Sequence, residues 1–318
     1  MNPLKKYLFA IAISAVMAAV PFAVPAQLRL PRPSPKASVM QTVGVTDITI
    51  NYNRPAVKGR KIWGDAPADS YAKGESTLDD QYKRTKDMPI VPYGHVWRTG
   101  ANEATQFIVT DDVMINGQKL PAGSYSLHTI PGKDEWTIVF NGTANQWGSF
   151  SYDEKKDTLR VKAKPMASPH SQEWLGFSID PASDSSATVT ISWEKVYVPF
   201  TVSVDVVATT MARAREAVAG SKADDWRTPY NAAGYAMQNG DKAAANAWIE
   251  QSLKILDTSI AAKPTFQNLS GKATVLIAAG RKDDGLAVAD KAIAQGKADK
   301  ADTAAFEKRI ADLRAGKQ

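Results

Sequence analysis

"ATVTISWEKVYVPFTVSVD", residues 187–205, marks the point at which the sequence pattern changes from one type of secondary structure to another. Apolar residues alternate with polar ones from Val189 to Trp193 and again from Val196 to Val204. A two-residue period puts the apolar side chains on one face of a β-strand. Directly after Val204 the pattern changes to an alanine-rich sequence with helical spacing. The sequence therefore predicts a β-structure that ends there and an α-helical region that follows.

The same alternation extends back to Ser38. It includes Ile48, Ile50 and Tyr52, then Trp136, Ile138 and Phe140, then Leu159, Val161 and Ala163. Asn116-Gly117 between two short apolar runs predicts a tight hairpin, because both residues tolerate positive φ. About ten short strands with frequent turns are typical of an antiparallel β-sandwich or a related barrel. We expect an N-terminal antiparallel β-sandwich over residues 27–205.

Residues 206–318 contain two similar stretches in which small and apolar residues recur at helical spacing on both sides of a glycine, Gly240 or Gly280. This pattern predicts a two-unit helical-hairpin repeat, similar in layout to tetratricopeptide arrays, with a last helix from Thr303 to Arg314. Such a region either binds a protein partner or docks on the sandwich and stabilises it. The sequence leaves both roles open.

Residues 1–26 have the parts of a secretory signal peptide: positive charge at Lys5 and Lys6, an apolar stretch, and a small-residue cleavage site that ends at Ala26. A membrane anchor is the alternative, but the apolar run from Tyr7 to Met17 continues only weakly before Pro21 and Pro25, which is short for a membrane span of roughly 20 residues. We therefore expect cleavage after Ala26 and a periplasmic or secreted protein without a transmembrane anchor.

Composition and missing motifs exclude several classes of protein. Because the chain has no cysteine, it has no disulfide, thiolate metal ligand or cysteine nucleophile. The formal net charge of +6 is modest and does not indicate a nucleic-acid partner. The sequence lacks a G-x-S-x-G elbow, a phosphate-binding P-loop and a dinucleotide-binding motif, so we expect no cofactor.

"VPYGHVWRTGANEAT", residues 91–105, is the densest cluster of residues that carry chemistry. His95 is suited to proton transfer near neutral pH, Arg98 to binding a carboxylate or phosphate, and Glu103 to acting as a base. These three are the catalytic candidates for one hypothesis, a hydrolase that acts on cell-envelope material. Catalysis predicts that they converge on one cleft with a perturbed pKa.

The same segment also has a binding and a structural interpretation. Tyr93, Trp97, Arg98, Asn102 and Glu103 are ligand-binding candidates, and binding predicts that aromatic side chains line the cleft. In the structural interpretation Trp97 fills the core, Arg98 pairs with an acidic neighbour, and Asn102 hydrogen-bonds the backbone of a tight connection.

A second basic group precedes this segment. Arg54, Lys58 and Arg60 lie beside Trp63, and interleaved cationic and aromatic residues are suited to holding a sugar, a peptidoglycan fragment or an anionic polymer. A solvated strand end with one buried tryptophan explains the same residues. Residues 65–90 are rich in polar residues, and we expect an inserted, loosely packed loop or a lid.

A metal site would have to use the histidines His95, His128 and His170 together with carboxylates such as Glu103 or Glu173. The histidines are widely separated in the sequence, and the strand pattern argues against a helix that would bring His170 and Glu173 together. Alternation places His128 opposite Leu127, so we expect it to be exposed. The sequence predicts no metal site.

Five ordered stretches resemble the DUF2911 family of exported bacterial proteins. They are "SPKASVMQTVGVTDITINYNRPAVKGRKIWG", "VPYGHVWRTGANEAT", "LPAGSYSLHTIPGKDEWTIVFN", "QWGSFSYDEKKDTLRVKAKP" and "ATVTISWEKVYVPFTV". The resemblance covers nearly all of residues 34–204 and implies no established catalytic residues, because the family is of unknown function. Residues 65–90 interrupt the family's usual spacing, and the helical region lies outside it. We expect a non-catalytic protein that binds an unknown small molecule, glycan or protein.

Overall fold

A computed structural model describes residues 30–67, 70 and 77–317. The expected signal peptide, residues 1–26, lies outside these ranges. Antiparallel sheets between residues 36 and 203 are followed by six helices between residues 206 and 314, so the prediction of a β plus α protein is confirmed. None of the helices in the described ranges combines the length and the hydrophobicity that a membrane span requires.

Strands are numbered in chain order and form two large antiparallel sheets. The first sheet contains, in spatial order, β1 (Lys36–Val43), β2 (Thr46–Asn53), β5 (Thr105–Val109), β8 (Gly123–Ile130), β9 (Trp136–Asn141) and β10 (Asp157–Ala163). The second contains β11 (Met166–Ser183), β12 (Ser186–Ser203), β6 (Val113–Ile115) and β7 (Gln118–Leu120). A short parallel pair, β3 (Trp63–Gly64) and β4 (Val91–Pro92), lies apart from both sheets.

The two sheets share one hydrophobic core, built from the alternating residues of their inner faces. The rings of Phe107 and Phe140 in the first sheet lie 6.4 and 6.2 Å from the ring of Phe200 in the second. The predicted hairpin at Asn116-Gly117 is confirmed, with φ values of 46° and 80° that close the tight turn between β6 and β7.

Four tryptophans form the centre of one end of this core. Trp63 contacts Trp97, Trp136 and Trp193 at ring-centroid distances of 5.6, 5.0 and 5.6 Å. Trp97 also stacks on Trp193 at 5.8 Å. The indole N–H groups of Trp97 and Trp193 donate to backbone carbonyls of Gly100 and Glu173. The cluster therefore fixes the segment around Trp97 against the sandwich.

A short helix, α1 (Leu78–Gln81), belongs to the 65–90 insertion. The six helices after the sandwich are α2 (Val206–Ala219), α3 (Arg227–Gln238), α4 (Lys242–Ala262), α5 (Phe266–Ala278), α6 (Lys282–Ala298) and α7 (Ala304–Arg314). α3 with α4, and α5 with α6, form two hairpins whose turns contain Gly240 and Gly280 at φ 83° and 78°. In both turns a glycine in the left-handed conformation follows the first helix of the pair.

Candidate functional site

The segment from residue 91 to 105 connects β4 to β5 as a tightly hydrogen-bonded loop. Trp97 exchanges two backbone hydrogen bonds with Thr129 of β8, at 2.8 and 2.9 Å. Thr99 is fully buried at φ 53°, a left-handed conformation that costs a β-branched residue roughly 1–2 kcal/mol. Its carbonyl accepts from the Thr105 hydroxyl at 2.8 Å, and its own hydroxyl bonds Thr129. These contacts hold the strained loop in one conformation.

One side of this loop lines a cleft of about 380 Å³, which we call the basic cleft. The buried rings of Trp97 and Trp193 form the floor of this cleft, and Pro55, Ala56, Leu78 and Ile90 add apolar surface. The polar lining consists of Ser34, Lys58, Arg60, Asp79, Tyr82, Arg84 and Arg98. Part of each predicted group of ligand-binding residues therefore meets in this cleft: Lys58 and Arg60 from before the insertion, and Trp97 and Arg98 from after it.

The basic cleft carries an excess of positive charge. Arg98 is paired with Asp79 at 3.0 Å, and a second oxygen of Asp79 accepts the Ser149 N–H at 2.6 Å. Within the described part of the chain, no carboxylate is within ion-pairing distance of Lys58, Arg60 or Arg84. Arg60 is oriented by donating to the carbonyls of Ala56 and Val57. Three exposed cations and the apolar floor therefore line the same cleft.

Part of this lining comes from the 65–90 insertion, which the sequence predicts to be loosely packed. Among its described residues, Ser70 and Thr77 are buried, and the N–H of Leu78 donates to the carbonyl of Val96 at 3.0 Å. The described portion is thus packed against the loop, and it supplies Asp79 and Arg84 to the cleft. No spacing in the sequence connects these two residues with Arg98.

On the outer face of the first sheet, each of the six strands has a polar residue at the same level, so these residues form a line across the sheet. Register pairs Ser38, Asn51, Gln106, Ser126, Asn141 and Asp157 in that order. We call this line of residues the polar row. A register shift between Asp157 and Leu159 brings Asp157 to this face. The loop of residues 142–156 covers the half of the row near Asn141, whose side chain donates to the Asp153 carbonyl.

The uncovered half of the polar row opens into a second cleft of about 320 Å³, which we call the amide cleft. Its lining is Lys36, Asn51, Tyr52, Asn53, Glu103, Ala104, Gln106, Ala144, Asn145, Gln146 and Trp147. Glu103 accepts two hydrogen bonds from Arg32, at 2.8 and 2.9 Å, and one from Asn53 at 3.0 Å. Partial burial alone would raise the pKa of Glu103, but these hydrogen bonds outweigh it and lower the pKa.

The three catalytic candidates are therefore distributed over different places. Arg98 lines the basic cleft, Glu103 lines the amide cleft, and half-buried His95 lines neither. Of the neighbouring binding candidates, Trp97 lies in the basic cleft, whereas Asn102 donates to the Ser34 carbonyl at 3.1 Å and adopts φ 58°.

The remaining binding candidates have structural surroundings. Arg54 donates to the carbonyl of Leu175 at 2.8 Å. Trp63 belongs to the tryptophan cluster, and its buried indole nitrogen has no hydrogen-bond partner among the described residues. Tyr93 is half-buried, and burial raises the pKa of its hydroxyl, with the negative charge of Asp65 adding to the rise.

The expectation that His128 is exposed is wrong. Its side chain is fully buried on the outer face of β8, because the 142–156 loop covers it and the Tyr152 ring lies 4.9 Å away. Neither ring nitrogen makes a hydrogen bond within the described structure. Burial lowers the pKa of His128 to about 4, and the attraction of Asp157 and the nearby Ser126 carbonyl offset this only in part, while Arg98 lowers it further.

Alternation failed at His128 because it separates the two faces of a strand without showing whether a loop covers the second face. The aromatic sequence "QWGSFSY" at residues 146–152 was the one signal of such a cover. His170 lies exposed on β11, far along the chain from His128. The described residues contain no group of three or more His, Asp or Glu side chains arranged to hold a metal ion.

The family comparison matches one family model, described as a protein of unknown function (DUF2911), over residues 34–202. This match spans the strands of both sheets and both clefts, and it ends just before α2. Neither the curated proteins nor the solved structures contain a match to the chain. The match covers more than half of the sequence, and the chain belongs to the DUF2911 family.

Proposed function

We propose that this protein binds a small anionic molecule in the basic cleft without chemically changing it. The observation that carries the proposal is the combination of three exposed cations, Lys58, Arg60 and Arg84, with an apolar floor over the buried rings of Trp97 and Trp193. A volume of about 380 Å³ lies within the range of roughly 300–1,000 Å³ for small-molecule sites.

The charge and the shape of the cleft favour a ligand with a carboxylate or phosphate group and an apolar or ring-shaped body. Arginine side chains bind such anions through two parallel hydrogen bonds; Nε and Nη2 of Arg60 each donate to a backbone carbonyl, which leaves the edge between Nη1 and Nη2 for an anion. Contact with the apolar floor of the cleft would displace water from the rest of the ligand. Asp79 does not repel the anion strongly, because its charge is paired with Arg98 at 3.0 Å.

Hydrolysis of cell-envelope material is the alternative function, and it has less support. It requires a base or nucleophile beside the substrate, whereas His95 lies outside both clefts and Arg98 and Glu103 line different ones. The carboxylate of the basic cleft, Asp79, is engaged by Arg98 and by the Ser149 N–H. Binding accounts for the same residues without a reacting group.

Location and domain organisation are part of the same proposal. The signal sequence at residues 1–26 supports export, which places the protein in the periplasm or outside the cell. Residues 27–205 would form the ligand-binding domain, and residues 206–318 a tetratricopeptide-like domain that docks on it or binds a protein partner. The two equivalent hairpin turns at Gly240 and Gly280 support the repeat.

The test compares anion binding by the exported protein and two double variants. Lys58→Gln with Arg84→Gln removes two cations from the basic cleft, and Lys133→Gln with Lys164→Gln removes two exposed cations elsewhere. Calorimetry and thermal unfolding are measured with inorganic phosphate, citrate, sugar phosphates and uronic acids. A ligand at a hundredfold its Kd should stabilise the protein by about 2.7 kcal/mol.

We expect the cleft variant to weaken binding at least about tenfold, which is roughly 1.4 kcal/mol, and the control variant to retain it. Binding should also weaken with added salt, because the cations are exposed. If both double variants bind the anions equally, or if none of the anions binds the unaltered protein, the proposal is wrong.

A further inference from the structure

The amide cleft contains an unusual set of polar side chains. Five carboxamides line it, and they come from β2, β5 and the 142–156 loop: Asn51, Asn53, Gln106, Asn145 and Gln146. A carboxamide carries no charge and offers two donors and one acceptor oxygen in a single plane. Beside Lys36 and Glu103, the cleft thus offers five neutral groups that both donate and accept hydrogen bonds, in contrast to the mainly cationic polar lining of the basic cleft.

Three of these carboxamides hydrogen-bond one another. Asn51 and Gln106 are cross-strand partners, and the Asn51 amide donates to the Gln106 oxygen at 3.4 Å. Gln106 in turn donates to the oxygen of Asn145. This chain leaves the Asn51 oxygen and the Asn145 amide nitrogen without a partner in the described structure. The free donor and the free acceptor are therefore oriented before any ligand arrives.

Gln146 adds a third position that lacks a partner. Its amide nitrogen donates to the Ser126 hydroxyl at 3.2 Å and to the Thr143 carbonyl at 3.0 Å. Its oxygen is buried and accepts no hydrogen bond from the described residues. A buried acceptor without a donor destabilises the folded protein. A hydroxyl group supplied by a ligand or by water would satisfy it.

An exposed tryptophan stands at the edge of this cleft. Trp147 is 56% exposed, although its backbone neighbours are fixed: Ala104 N–H donates to the Gln146 carbonyl at 3.0 Å, and Gly148 N–H donates to the Asn102 carbonyl at 2.9 Å. The Arg32 guanidinium lies 5.9 Å from the ring centroid and at the same time pairs with Glu103. A large aromatic ring is thus held in solvent by a rigid backbone, next to oriented amides.

From this combination we propose that the amide cleft is a binding site for a neutral saccharide. Sugar hydroxyls donate and accept at once, as carboxamides do, and neighbouring hydroxyls on a ring match the spacing of a planar amide or carboxylate. The C–H face of a sugar ring is apolar and packs on an indole. This site is separate from the basic cleft, and the proposal does not depend on anion binding there.

The experiment screens the exported protein against neutral sugars and measures binding by saturation-transfer NMR and calorimetry. The probes are glucose, galactose, mannose and N-acetylglucosamine, and the β-1,4 and α-1,4 disaccharides of glucose. Trp147→Ala should reduce binding at least tenfold and Trp147→Phe should retain most of it, because a smaller ring still stacks. Phe150→Ala is the matched control, since Phe150 is also 56% exposed on the same loop but does not line the cleft.

A second variant tests the amides apart from the tryptophan. Gln106→Ala removes the central carboxamide and should also weaken sugar binding at least tenfold, while far-UV circular dichroism reports that the fold is retained. The basic-cleft variant Lys58→Gln with Arg84→Gln should bind sugars normally, which separates this proposal from anion binding. Failure of all the sugars to bind, or equal binding by Trp147→Ala, Gln106→Ala and Phe150→Ala, would overturn the proposal.

Discussion

His128 is the residue whose surroundings depart most from what its place in a strand predicts. It is fully buried, it has no hydrogen-bond partner among the described groups, and the neighbouring charges of Asp157 and Arg98 act on it in opposite directions. Because burial holds its pKa near 4 rather than near 6.5, the imidazole is neutral across the physiological range. A neutral ring can pack against Tyr152, whereas an imidazolium would be an unpaired buried charge.

Replacing His128 should therefore change how stability depends on pH. Below pH 6.5 the unfolded chain binds a proton at His128 that the folded protein does not bind. The contribution of the neutral ring to the free energy of unfolding is therefore complete above pH 6.5 and is lost as the pH falls towards 4. At pH 5 the loss should be about 2 kcal/mol. In His128→Leu this loss should disappear, as measured by urea unfolding at pH 7.5 and pH 5. His170→Leu, an exposed control, should keep it; equal acid sensitivity in both variants would contradict the assignment.

Within the two helical hairpins, glycine favours the fold at the turns and disfavours it inside a helix. Gly240 and Gly280 adopt φ values of 83° and 78° at the ends of α3 and α5, where a left-handed residue lets the backbone reverse. The N–H groups of Asp241 and Arg281 then donate to carbonyls five residues back, both at 2.9 Å. Gly234 lies instead inside α3, where a β-carbon would point into open space, with none of the described side chains within 4 Å.

Alanine substitutions should thus have opposite effects at these positions. Gly240→Ala and Gly280→Ala should each destabilise the protein by about 1 kcal/mol, because alanine disfavours positive φ. Gly234→Ala should stabilise it by roughly 0.5–1 kcal/mol, because alanine is the better helix former. Denaturant unfolding followed at 222 nm measures all three. A neutral result at both turns, or a loss of stability at Gly234, would show that the hairpins are built differently.

In the molecule as a whole, α2 packs directly against the sandwich and connects it to the other helices. Val206, at the start of α2, packs against the sandwich core, and Arg213 pairs with Asp111 at 2.6 Å. Gly44, in the turn between β1 and β2, has φ 60°, and a β-carbon there would lie 2.5 Å from a methyl group of Val206. This close approach couples the first hairpin of the sandwich to the first residue of the helical region.

Gly44→Ala should destabilise the protein by two separable effects, strain at positive φ and collision with Val206. Val206→Ala removes the colliding methyl groups, so the double variant should recover the part due to collision, and a double-mutant cycle should give a coupling free energy above about 0.5 kcal/mol. Val207→Ala, at an exposed neighbour, is the control and should show no coupling. Equal coupling for both valines would place the contact elsewhere.

Secondary structure could be predicted from the sequence, whereas the grouping of side chains in the clefts could not. Alternation from Ser38 to Val204 and the helical spacing after it predicted the strands and helices, because each period depends only on residues close in sequence. The same reasoning identified Lys58, Arg60 and Arg98 as candidates but did not connect them with Asp79 or Arg84. It also overlooked Asn51 and Gln106, single polar residues in ordinary strands.

The type and order of the elements, the change from β to α after Val204 and the family could all be read from the amino-acid sequence. Which polar side chains share a cleft depends on tertiary packing: strand register aligns Asn51 with Gln106 across more than fifty residues of chain, and the described part of the insertion places Arg84 in the same cleft as Arg98. The physical reason is that hydrophobic periodicity is local, whereas the meeting of distant side chains depends on how whole sheets and loops pack.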